Sequence, residues 1–516
     1  MGKCNLVTKA CGIFLFWAAT VVTLPAQTTA ISSSTPIFTT LHSFDATDGA
    51  TPEAGLVQGA DGNLYGTTAA GGGGAVGDGT VFRIALSGAV TTLYSFCPNG
   101  YPCSDGSQPR APLVQGTGGN FYGTTFVGGG ANNFGTVFKI TATGTLTTLY
   151  NFCSQGGNEC TDGAQPEAPL VQGADGNFYG TTASGTATCP VPIVCGTVFK
   201  IIPSGALTTL NSFDGKDGMS PYAGLVQGTN GDFYGTTFEG GAFFYCNYGD
   251  GCGTVFKVTT NGTLTTLHSF HGSEGIDPAA GLVQGTDGYF YGTTQYGGTH
   301  SCYNLSCGTV FRITPNGSLT TLHNFDGADG GLPNGLVQGT DGNFYGTTFV
   351  GGTNTSCEGG SGCGTIFRIT PSGKLTTLYN FCSKGGYPNC SGGSSPEGTL
   401  VQDTNGIFYG TTYFGGNSNC GFDEIGCGSV FSISVGLSPF VETNPTAGKV
   451  GAKVGILGTD LTGATNVTFN GTTAAFKVVS KTLIAAKVPS GATTDTVQVE
   501  LPSGTLSSNV PFIVLR

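Results

Sequence analysis

Short runs of alternating apolar and polar residues follow one another along most of this chain, in sets of four. Residues 113–152 hold one set: LVQG, a run ending in YGTT, a run beginning GTVF, and LTTLYNF. The runs are rich in Val, Thr, Phe and Tyr, and Gly, Asp, Asn or Pro stand between them, which is typical of β-strands and their turns. No stretch after residue 30 keeps a helical period. The pattern predicts an all-β protein.

Two of the connections inside a set are tight. A DGN-type turn, as at 61–63, joins the first and second runs, and PSG or PNG, as at 315–317, joins the third and fourth. Gly and Asn accept the positive φ of hairpin turns, so successive runs should pair antiparallel. The other two connections are long, and the pairing places both at one end of the strands. We call that end the long-loop face and expect function there.

The set occurs seven times, at intervals of 54–64 residues between its YGTT tyrosines: Tyr65, Tyr122, Tyr179, Tyr234, Tyr291, Tyr345 and Tyr409. Four similar antiparallel strands per unit describe a propeller blade. A run of the fourth type at 39–44 precedes the first set, and the last set lacks one. The N-terminal strand can therefore complete the last blade and close a ring, which limits exposed strand edges. The sequence predicts a seven-bladed β-propeller over residues 31–435.

The repeats and the cysteines both stop before residue 436. Residues 436–516 instead hold short alternating runs at 450–457, 466–469, 475–479, 483–488, 496–501 and 510–514, divided by Gly-containing turns. Many short strands with regular turns predict a small β-sandwich as a second domain.

Residues 1–30 have the features of a signal peptide. Lys3 and Lys9 form a basic start, residues 11–24 are apolar, and the small residues Ala26 and Ala30 follow. The apolar run is too short to span a membrane comfortably. We expect a secreted or cell-surface protein without a transmembrane segment in the mature chain.

The cysteines after the leader fall into local pairs, all in loops of the long-loop face. Zinc sites usually have two to four residues between paired ligands and a second pair nearby, whereas four to seven intervene here. In an exported chain this pattern favours disulfides over zinc. The predicted bonds are Cys97–Cys103, Cys153–Cys160, Cys189–Cys195, Cys246–Cys252, Cys302–Cys307, Cys357–Cys363, Cys382–Cys390 and Cys420–Cys427.

The chain has 18 basic and 30 acidic residues, a net charge of −12. Most acidic residues of the repeats fall in the long loops. An acidic face repels nucleic acid and anionic lipid, so we expect neither as a partner.

The motif LVQGxDGNxYGTT, followed by GTVFKITPxGxLTTLYNF, resembles the GloVer (Gloeo/Verruco) tandem repeat of bacterial secreted proteins. The tail, with Pro445, Gly458, VTFNG at 467–471 and VPSG at 488–491, resembles the IPT/TIG immunoglobulin-like domain. The first resemblance implies an exported protein. The second implies a spacer or binding module of extracellular and cell-surface proteins.

Residues that recur in every repeat should hold the sheets together, because a site needs asymmetry. His42, His268 and His323 share one slot with Tyr94, Tyr150 and Tyr379, so we do not expect them to bind a metal. The glutamines of the LVQ runs are expected to bond backbone between blades. They are Gln58, Gln115, Gln172, Gln227, Gln284, Gln338 and Gln402.

The asymmetric feature that we take as a candidate ligand-binding site is the loop at 241–252, GAFFYCNYGDGC. It crowds Phe243, Phe244, Tyr245 and Tyr248 beside Asp250. Exposed aromatic rings can stack on sugars or anchor a protein. The same rings could instead fold back over the channel mouth.

No catalytic residue, metal ligand or cofactor is predicted. Calcium stays open because Asp45 with Asp48, Asp214 with Asp217, and Asp326 with Asp329 offer paired carboxylates, although calcium needs six to eight oxygens. We favour an exported, non-enzymatic binding or scaffolding protein that contacts an extracellular protein or a glycan through the acidic long-loop face. The alternatives are a carbohydrate-active lyase or hydrolase and a calcium-dependent adhesin.

Overall fold

The computed structural model describes residues 35–515 except 74–76, 131–132, 156, 186–194, 244–245, 247–249, 303–304, 355, 358–359, 384–389, 417–419 and 421–425. Strands dominate this part of the chain, and its helical segments are single turns such as Gly157–Glu159 and Leu461–Gly463. Among the described residues no helix is long and apolar enough to cross a membrane. The all-β prediction is confirmed.

The repeats form seven four-stranded antiparallel sheets, numbered here in chain order of their first strands. Sheets 1 to 3 are Val57–Gln58, Leu64–Thr68, Thr80–Ile84 and Val90–Ser95; Val114–Gln115, Phe121–Thr125, Thr136–Ile140 and Leu146–Asn151; and Val171–Gln172, Phe178–Thr182, Thr197–Ile201 and Leu207–Ser212. Sheets 4 and 5 are Val226–Gln227, Phe233–Thr237, Thr254–Val258 and Leu264–Ser269; and Val283–Gln284, Phe290–Thr294, Thr309–Ile313 and Leu319–Asn324. Sheet 6 is Gly331–Gln338, Phe344–Val350, Thr365–Ile369 and Leu375–Asn380, and sheet 7 is Val401–Gln402, Phe408–Thr412, Ser429–Ser434 and Ile37–Ser43.

The N-terminal strand Ile37–Ser43 thus supplies the fourth strand of sheet 7, where it pairs antiparallel with Ser429–Ser434. This is the exchange that the offset of the strand types predicts. The first strands are shorter than expected, at two residues in every sheet but one. Sheet 6 has one residue fewer between its proline and its Val–Gln pair, and there pairing extends over Gly331–Gln338.

The second and third strands hold the core because nearly all their side chains are buried. Between sheets, the YGTT tyrosine stacks on the phenylalanine of the next second strand, as Tyr65 on Phe121 at 4.0 Å between ring centroids. Five further pairs repeat this contact, and Tyr409 of sheet 7 packs in one cluster with Leu64 of sheet 1. Because the tyrosine recurs in every repeat, one contact made by this tyrosine lies between each pair of neighbouring sheets.

All seven LVQ glutamines bond backbone of the neighbouring sheet, as predicted. Gln115 Oε1 accepts from Ala60 N at 3.0 Å, and the other sheets repeat the bond. The same contact joins sheet 7 to sheet 1, where Thr404 N donates to Gln58 Oε1 at 3.0 Å.

Seven of the eight predicted disulfides are formed in the structure. The remaining pair involves Cys189, which lies outside the described residues. Four of these disulfides end two residues before a third strand, at Cys252, Cys307, Cys363 and Cys427.

The C-terminal region packs two four-stranded sheets on one core that includes Val441, Ile456, Val467, Ile484 and Phe512. Its strands are Glu442–Asn444, Lys453–Leu457, Leu483–Lys487 and Phe476–Ser480 in one sheet, and Thr472–Thr473, Asn466–Phe469, Val497–Leu501 and Gly504–Ser507 in the other. A parallel pair, Ala447–Lys449 with Ile513–Leu515, completes it. All six runs read from the sequence contain strands, whereas four short strands lie outside those runs: Glu442–Asn444, Ala447–Lys449, Thr472–Thr473 and Gly504–Ser507.

Candidate functional site

A proline opens the approach to every first strand: Pro52, Pro109, Pro166, Pro221, Pro278, Pro333 and Pro396. The residue before each proline has a left-handed backbone, with φ between 49° and 59°. In sheet 1, Thr51 N donates to Cys427 O of sheet 7 at 3.0 Å, and Thr51 O accepts from Ala69 N at 3.0 Å. These backbone hydrogen bonds to two sheets fix the conformation of the residue before the proline. They thereby also fix the direction of the side chain after the proline.

The side chains after the seven prolines border one cavity of about 580 Å³. In contrast to the repeated residues around them, these seven are of five types, with Glu in three of the sheets. They are Glu53, Arg110, Glu167, Tyr222, Ala279, Asn334 and Glu397. The cavity lies where the long inter-sheet connections enter the first strands, which is the long-loop end.

Four neighbouring sheets, 7, 1, 2 and 3, supply the charged half of the cavity, with Arg110 at its centre. Arg110 Nη1 donates to Glu167 Oε1 at 2.9 Å, and Nη2 donates to Gln108 Oε1 at 3.0 Å. Arg110 Nε lies 3.6 Å from Glu53 Oε2 and is buried without a hydrogen bond. The guanidinium carbon also lies 4.1 Å from the centre of the Phe126 ring. These contacts occupy Arg110 and leave it little freedom to bind an anion.

Glu397 is the carboxyl of this half that has no pairing. No hydrogen bond or ion pair joins it to another described residue, and its side chain is exposed to the cavity. Burial raises the pKa of Glu397 to about 8, the charge of Glu53 adds to the rise and Arg110 opposes it. Because Glu397 borders open space, water in the cavity moderates this effect.

The other two carboxyls are shifted in the same direction. Burial raises the pKa of Glu53 to about 7, with Arg110 opposing and Glu167 adding to the rise. Burial also raises the pKa of Glu167, against the charge and the hydrogen bond of Arg110. Three carboxyls beside one guanidinium hold excess negative charge when ionised, so the cavity attracts cations.

Sheets 4, 5 and 6 make the neutral half. Tyr222 lies against Phe238, with ring centroids 5.3 Å apart, and Ala279 adds only a methyl group. Asn334 Nδ2 donates to Pro396 O at 2.6 Å and to Thr347 Oγ1 at 3.0 Å, so it ties sheet 6 to sheet 7. The cavity therefore has one charged wall and one aromatic, apolar wall.

Only part of the predicted aromatic loop can be compared with this site. Phe244, Tyr245 and Tyr248 lie outside the described residues. Phe243 is 36% exposed, with its ring 5.7 Å from that of His271, and Asp250 O accepts from Gly240 N at 2.8 Å. Neither Phe243 nor Asp250 borders the cavity, so the ligand-binding role of this loop stays a prediction.

The repeated histidines and loop acids, treated separately in the sequence, bond each other. His42 Nε2 is 2.6 Å from Asp48 Oδ2, and His323 Nε2 is 2.7 Å from Asp329 Oδ2. Tyr94 and Tyr150 do the same, as Tyr94 OH donates to Asp105 Oδ2 at 2.8 Å. Among the described residues the slot thus bonds the following loop in five sheets, in agreement with a structural role.

Metal-binding geometry is sparse in the part of the chain that the structure describes. One group brings together the sulfurs of Cys357, Cys363, Cys382 and Cys390, which two disulfides already use, and the other is Asp78 with Cys97 and Cys103. The pairs Asp45–Asp48, Asp214–Asp217 and Asp326–Asp329 bond each other's backbone amides, which is turn chemistry. None of the three pairs belongs to a metal-binding group of the described residues.

Sequence reasoning missed the cavity residues although the signal was available. The residues after the seven prolines vary within an otherwise regular repeat, and this variation distinguishes them in the sequence. What the sequence could not provide is the convergence of residues that stand about one repeat apart.

The Gloeobacter/Verrucomicrobia repeat profile matches residues 27–190, 101–304, 165–423 and 250–475, and the IPT/TIG domain matches residues 439–514. No curated protein matches the chain in sequence.

Similar solved structures include a fungal alcohol oxidase of the AA5 family in complex with copper, at 13% identity over 94% of this chain and 99% of that one, with a TM-score of 0.48. A luciferin-regenerating enzyme aligns at 10% identity over 77% and 95%, with a TM-score of 0.38. PorZ, a surface component of the type-IX secretion system of Porphyromonas gingivalis, aligns at 13% over 88% and 58%, with a TM-score of 0.43. At these TM-scores the likenesses carry no functional argument. The repeat profile spans most of the sequence, and the protein belongs to the Gloeobacter/Verrucomicrobia repeat family, with a C-terminal IPT/TIG domain.

Proposed function

We propose that this protein is an exported seven-bladed β-propeller that binds a ligand in the cavity at its centre. Three contacts from sheet 7 to sheet 1 support ring closure: Thr404 N to Gln58, Thr51 N to Cys427 O, and Thr411 Oγ1 to Ala54 O at 2.8 Å. Export is supported by the basic and apolar features of residues 1–30 and by seven disulfides, which fit an extracellular protein.

The observation that carries the binding proposal is the variable position after each proline. Seven equivalent side chains meet at one cavity of about 580 Å³, and they comprise five residue types, with Glu at three of the positions. A purely structural position would be expected to repeat, as the glutamines and YGTT tyrosines do. The volume lies in the range of small-ligand sites, about 300–1,000 Å³.

The ligand that fits best carries a basic group, an ammonium or a guanidinium. Glu397 offers an unpaired carboxyl, Glu53 and Glu167 add negative charge, and Arg110 is already engaged. Tyr222 and Phe238 on the other wall suit the hydrocarbon or ring portion of such a ligand. A lysine or arginine side chain of an extracellular protein and an amino sugar of a glycan both meet this description.

Calorimetric titration with matched ligands tests the proposal. Tri-lysine should bind and its side-chain-acetylated form should not, because acetylation removes the charge. Chitosan oligosaccharide at pH 7, compared with its N-acetylated form, tests the glycan source in the same way. Glu397→Gln should weaken binding of the charged ligand about tenfold. Glu159→Gln, an exposed loop carboxyl outside the cavity, should leave affinity unchanged. Equal binding of charged and acetylated ligands would contradict the basic-group assignment.

A second candidate is acid–base catalysis on a polysaccharide. It is favoured by one observation: Glu397, with a raised pKa, and Glu167, held by Arg110, face the same cavity. Carboxyls with separated proton affinities can act as acid and base in glycoside cleavage. Turnover of a polysaccharide that disappears in both Glu397→Gln and Glu167→Gln would replace the binding proposal by an enzymatic one.

A further inference from the structure

The C-terminal domain rests on the tight-turn ends of the first strands, at a junction formed by three sheets. Phe440 N donates to Thr404 O at 3.0 Å, Thr482 Oγ1 donates to Ala60 O at 2.9 Å, and Asn444 Nδ2 donates to Gln115 O at 2.8 Å. Sheets 7, 1 and 2 each contribute one of these bonds. The contact is specific, and it lies at the opposite strand end from the cavity of about 580 Å³.

One residue at this junction breaks the repeat. Asp403 follows the glutamine of sheet 7, where the six other repeats have glycine: Gly59, Gly116, Gly173, Gly228, Gly285 and Gly339. Asp403 is 1% exposed. Its Oδ1 accepts from Asn405 N at 2.9 Å, while Oδ2 is buried without a partner. A buried, ionised carboxylate oxygen without a hydrogen-bond donor costs free energy, so burial favours the protonated form of Asp403.

A second carboxyl from the C-terminal domain lies nearby. Glu442 stands two residues after Phe440, which bonds Thr404, the neighbour of Asp403. Glu442 also pairs in its strand with Leu457, two residues before Thr459, whose hydroxyl lies 3.4 Å from that of Thr404. No hydrogen bond or ion pair from a described residue reaches the Glu442 carboxyl. Each domain thus supplies one carboxyl to adjacent segments of the junction, and the charge of Asp403 acts on Glu442.

Protons or a metal ion could neutralise such a pair, and the geometry favours protons. Oδ2 of Asp403 has no exposed surface, so a hydrated ion cannot reach it without movement of the junction. Neither Asp403 nor Glu442 belongs to a metal-binding group of the described residues. A cation site in proteins needs several converging oxygens, whereas protonation needs none.

Other ionisable groups around the pair do not supply the missing charge. Asp61, Asp460 and Lys481 border an adjoining cavity of about 310 Å³ together with Asp403, and Lys481 makes no ion pair among the described residues. The Tyr409 hydroxyl accepts from Asn405 Nδ2 at 3.0 Å. The surroundings therefore hold two further carboxyls and one lysine, and none of them bonds Asp403 Oδ2.

We propose that the C-terminal domain docks on the propeller with the Asp403 and Glu442 carboxyls protonated, so that docking weakens as the pH rises. Burial raises the pKa of Asp403 to about 6, and burial together with the charge of Asp403 raises that of Glu442 to about 7. In the undocked state both return toward about 4. The docked form binds protons more tightly, so docking is strongest below about pH 4 and declines up to about pH 7.

Hydrogen exchange at the Phe440 amide measures docking directly, because its bond to Thr404 O crosses the junction. In the full chain the protection factor, corrected for the intrinsic rate, should fall on the order of a thousandfold between pH 4.5 and pH 8. Glu442→Gln should reduce this fall to about thirtyfold and raise protection at pH 8, because an amide mimics the protonated acid. Asp403→Gly, which restores the residue of the other repeats, should also reduce the fall and raise protection at pH 8.

Glu500→Gln provides the control, since Glu500 is an exposed carboxyl of the same domain that bonds Asn466 away from the junction. It should keep the wild-type profile. A flat wild-type profile overturns the proposal, as does a wild-type profile in both Glu442→Gln and Asp403→Gly. If adding calcium at pH 8 raises the protection factor of the wild-type protein to its pH 4.5 value, the proposal is also overturned, in favour of a bound cation. Because ligand binding is not part of the measurement, failure here leaves the proposed cavity function untouched.

Discussion

At the scale of single residues, one position holds histidine in some sheets and tyrosine in others. The tyrosine sheets therefore serve as a reference for substituting the histidine. His323 bonds Asp329 at 2.7 Å, and Tyr150 bonds Asp162 at 2.7 Å in the equivalent place. His323→Tyr should therefore change the free energy of unfolding by less than about 0.5 kcal/mol, while His323→Ala should cost about 1–2 kcal/mol by leaving the half-buried Asp329 without its partner. Urea denaturation at pH 7 measures both.

Acid titration of the same slot gives an independent check. Burial alone would raise the pKa of Asp329, but the hydrogen bond and charge of His323, together with hydrogen bonds from Asp326, bring that pKa below its ordinary value. The carboxylate therefore stabilises the fold above an unfolded pKa of about 3.9, and this contribution is lost as the pH falls through the folded value. Equal losses for His323→Tyr and His323→Ala would argue against the hydrogen bond as the stabilising contact.

The sequence alone predicts the repeated residues better than the variable ones. The glutamine bonds between sheets could be predicted because a polar side chain recurring in a buried strand needs a recurring partner. Glu53, Arg110, Glu167 and Glu397 could not be joined in the same way. They are about one repeat apart in sequence, and their proximity depends on how seven sheets meet. Asp403 was equally visible as the exception among six glycines, but its partner lies in the other domain.

At the scale of elements, the N-terminal strand Ile37–Ser43 holds the two ends of the repeat array together. The ring of Phe38 stacks on Tyr379 with centroids 3.9 Å apart and also contacts Phe431 and Phe381. Phe38→Ala should lower the free energy of unfolding by about 2–4 kcal/mol, since it removes these contacts from a partly buried site. Chemical denaturation of the full chain measures the loss.

Ile37→Ala is the matched control, because Ile37 is the adjacent residue on the opposite face of the strand and is 66% exposed. Its effect should stay within about 0.5 kcal/mol. A similar cost for both substitutions would mean that the strand is held by its backbone pairing with Ser429–Ser434 and not by the Phe38 ring.

The elements themselves were predictable because turn residues such as Gly, Asp, Asn and Pro recur between the strands. The length of the first strands was less predictable: six of them are two residues long, whereas Gly331–Gln338, with one residue fewer after its proline, is eight residues long. The left-handed residue and the proline before each first strand direct the variable side chains into the cavity.

At the scale of the whole molecule, two sets of carboxyls with raised pKa values lie at opposite strand ends and should respond to pH in opposite directions. Docking of the C-terminal domain weakens with rising pH because it favours protonated acids. Binding of a basic ligand should strengthen, because the ligand favours ionised acids. Nothing in the periodicity of either domain indicates which ends of the strands the tail covers, so this arrangement could not be predicted from the sequence.

The pH dependence of ligand binding follows from the sign of the shifts in the cavity. Free Glu397 and Glu53, with pKa values of about 8 and about 7, are largely protonated at pH 6. A ligand with a permanent positive charge stabilises the ionised form, so its affinity should rise between pH 6 and pH 8, by at most about a hundredfold per proton released, and level off above pH 9. Titration with an arginine-containing peptide measures the rise, because its guanidinium stays charged throughout. Glu397→Gln should flatten most of it, whereas Glu442→Gln should leave it unchanged. A rise that survives Glu397→Gln but vanishes in Glu442→Gln would place the titrating group at the domain junction and would separate the cavity carboxyls from ligand recognition.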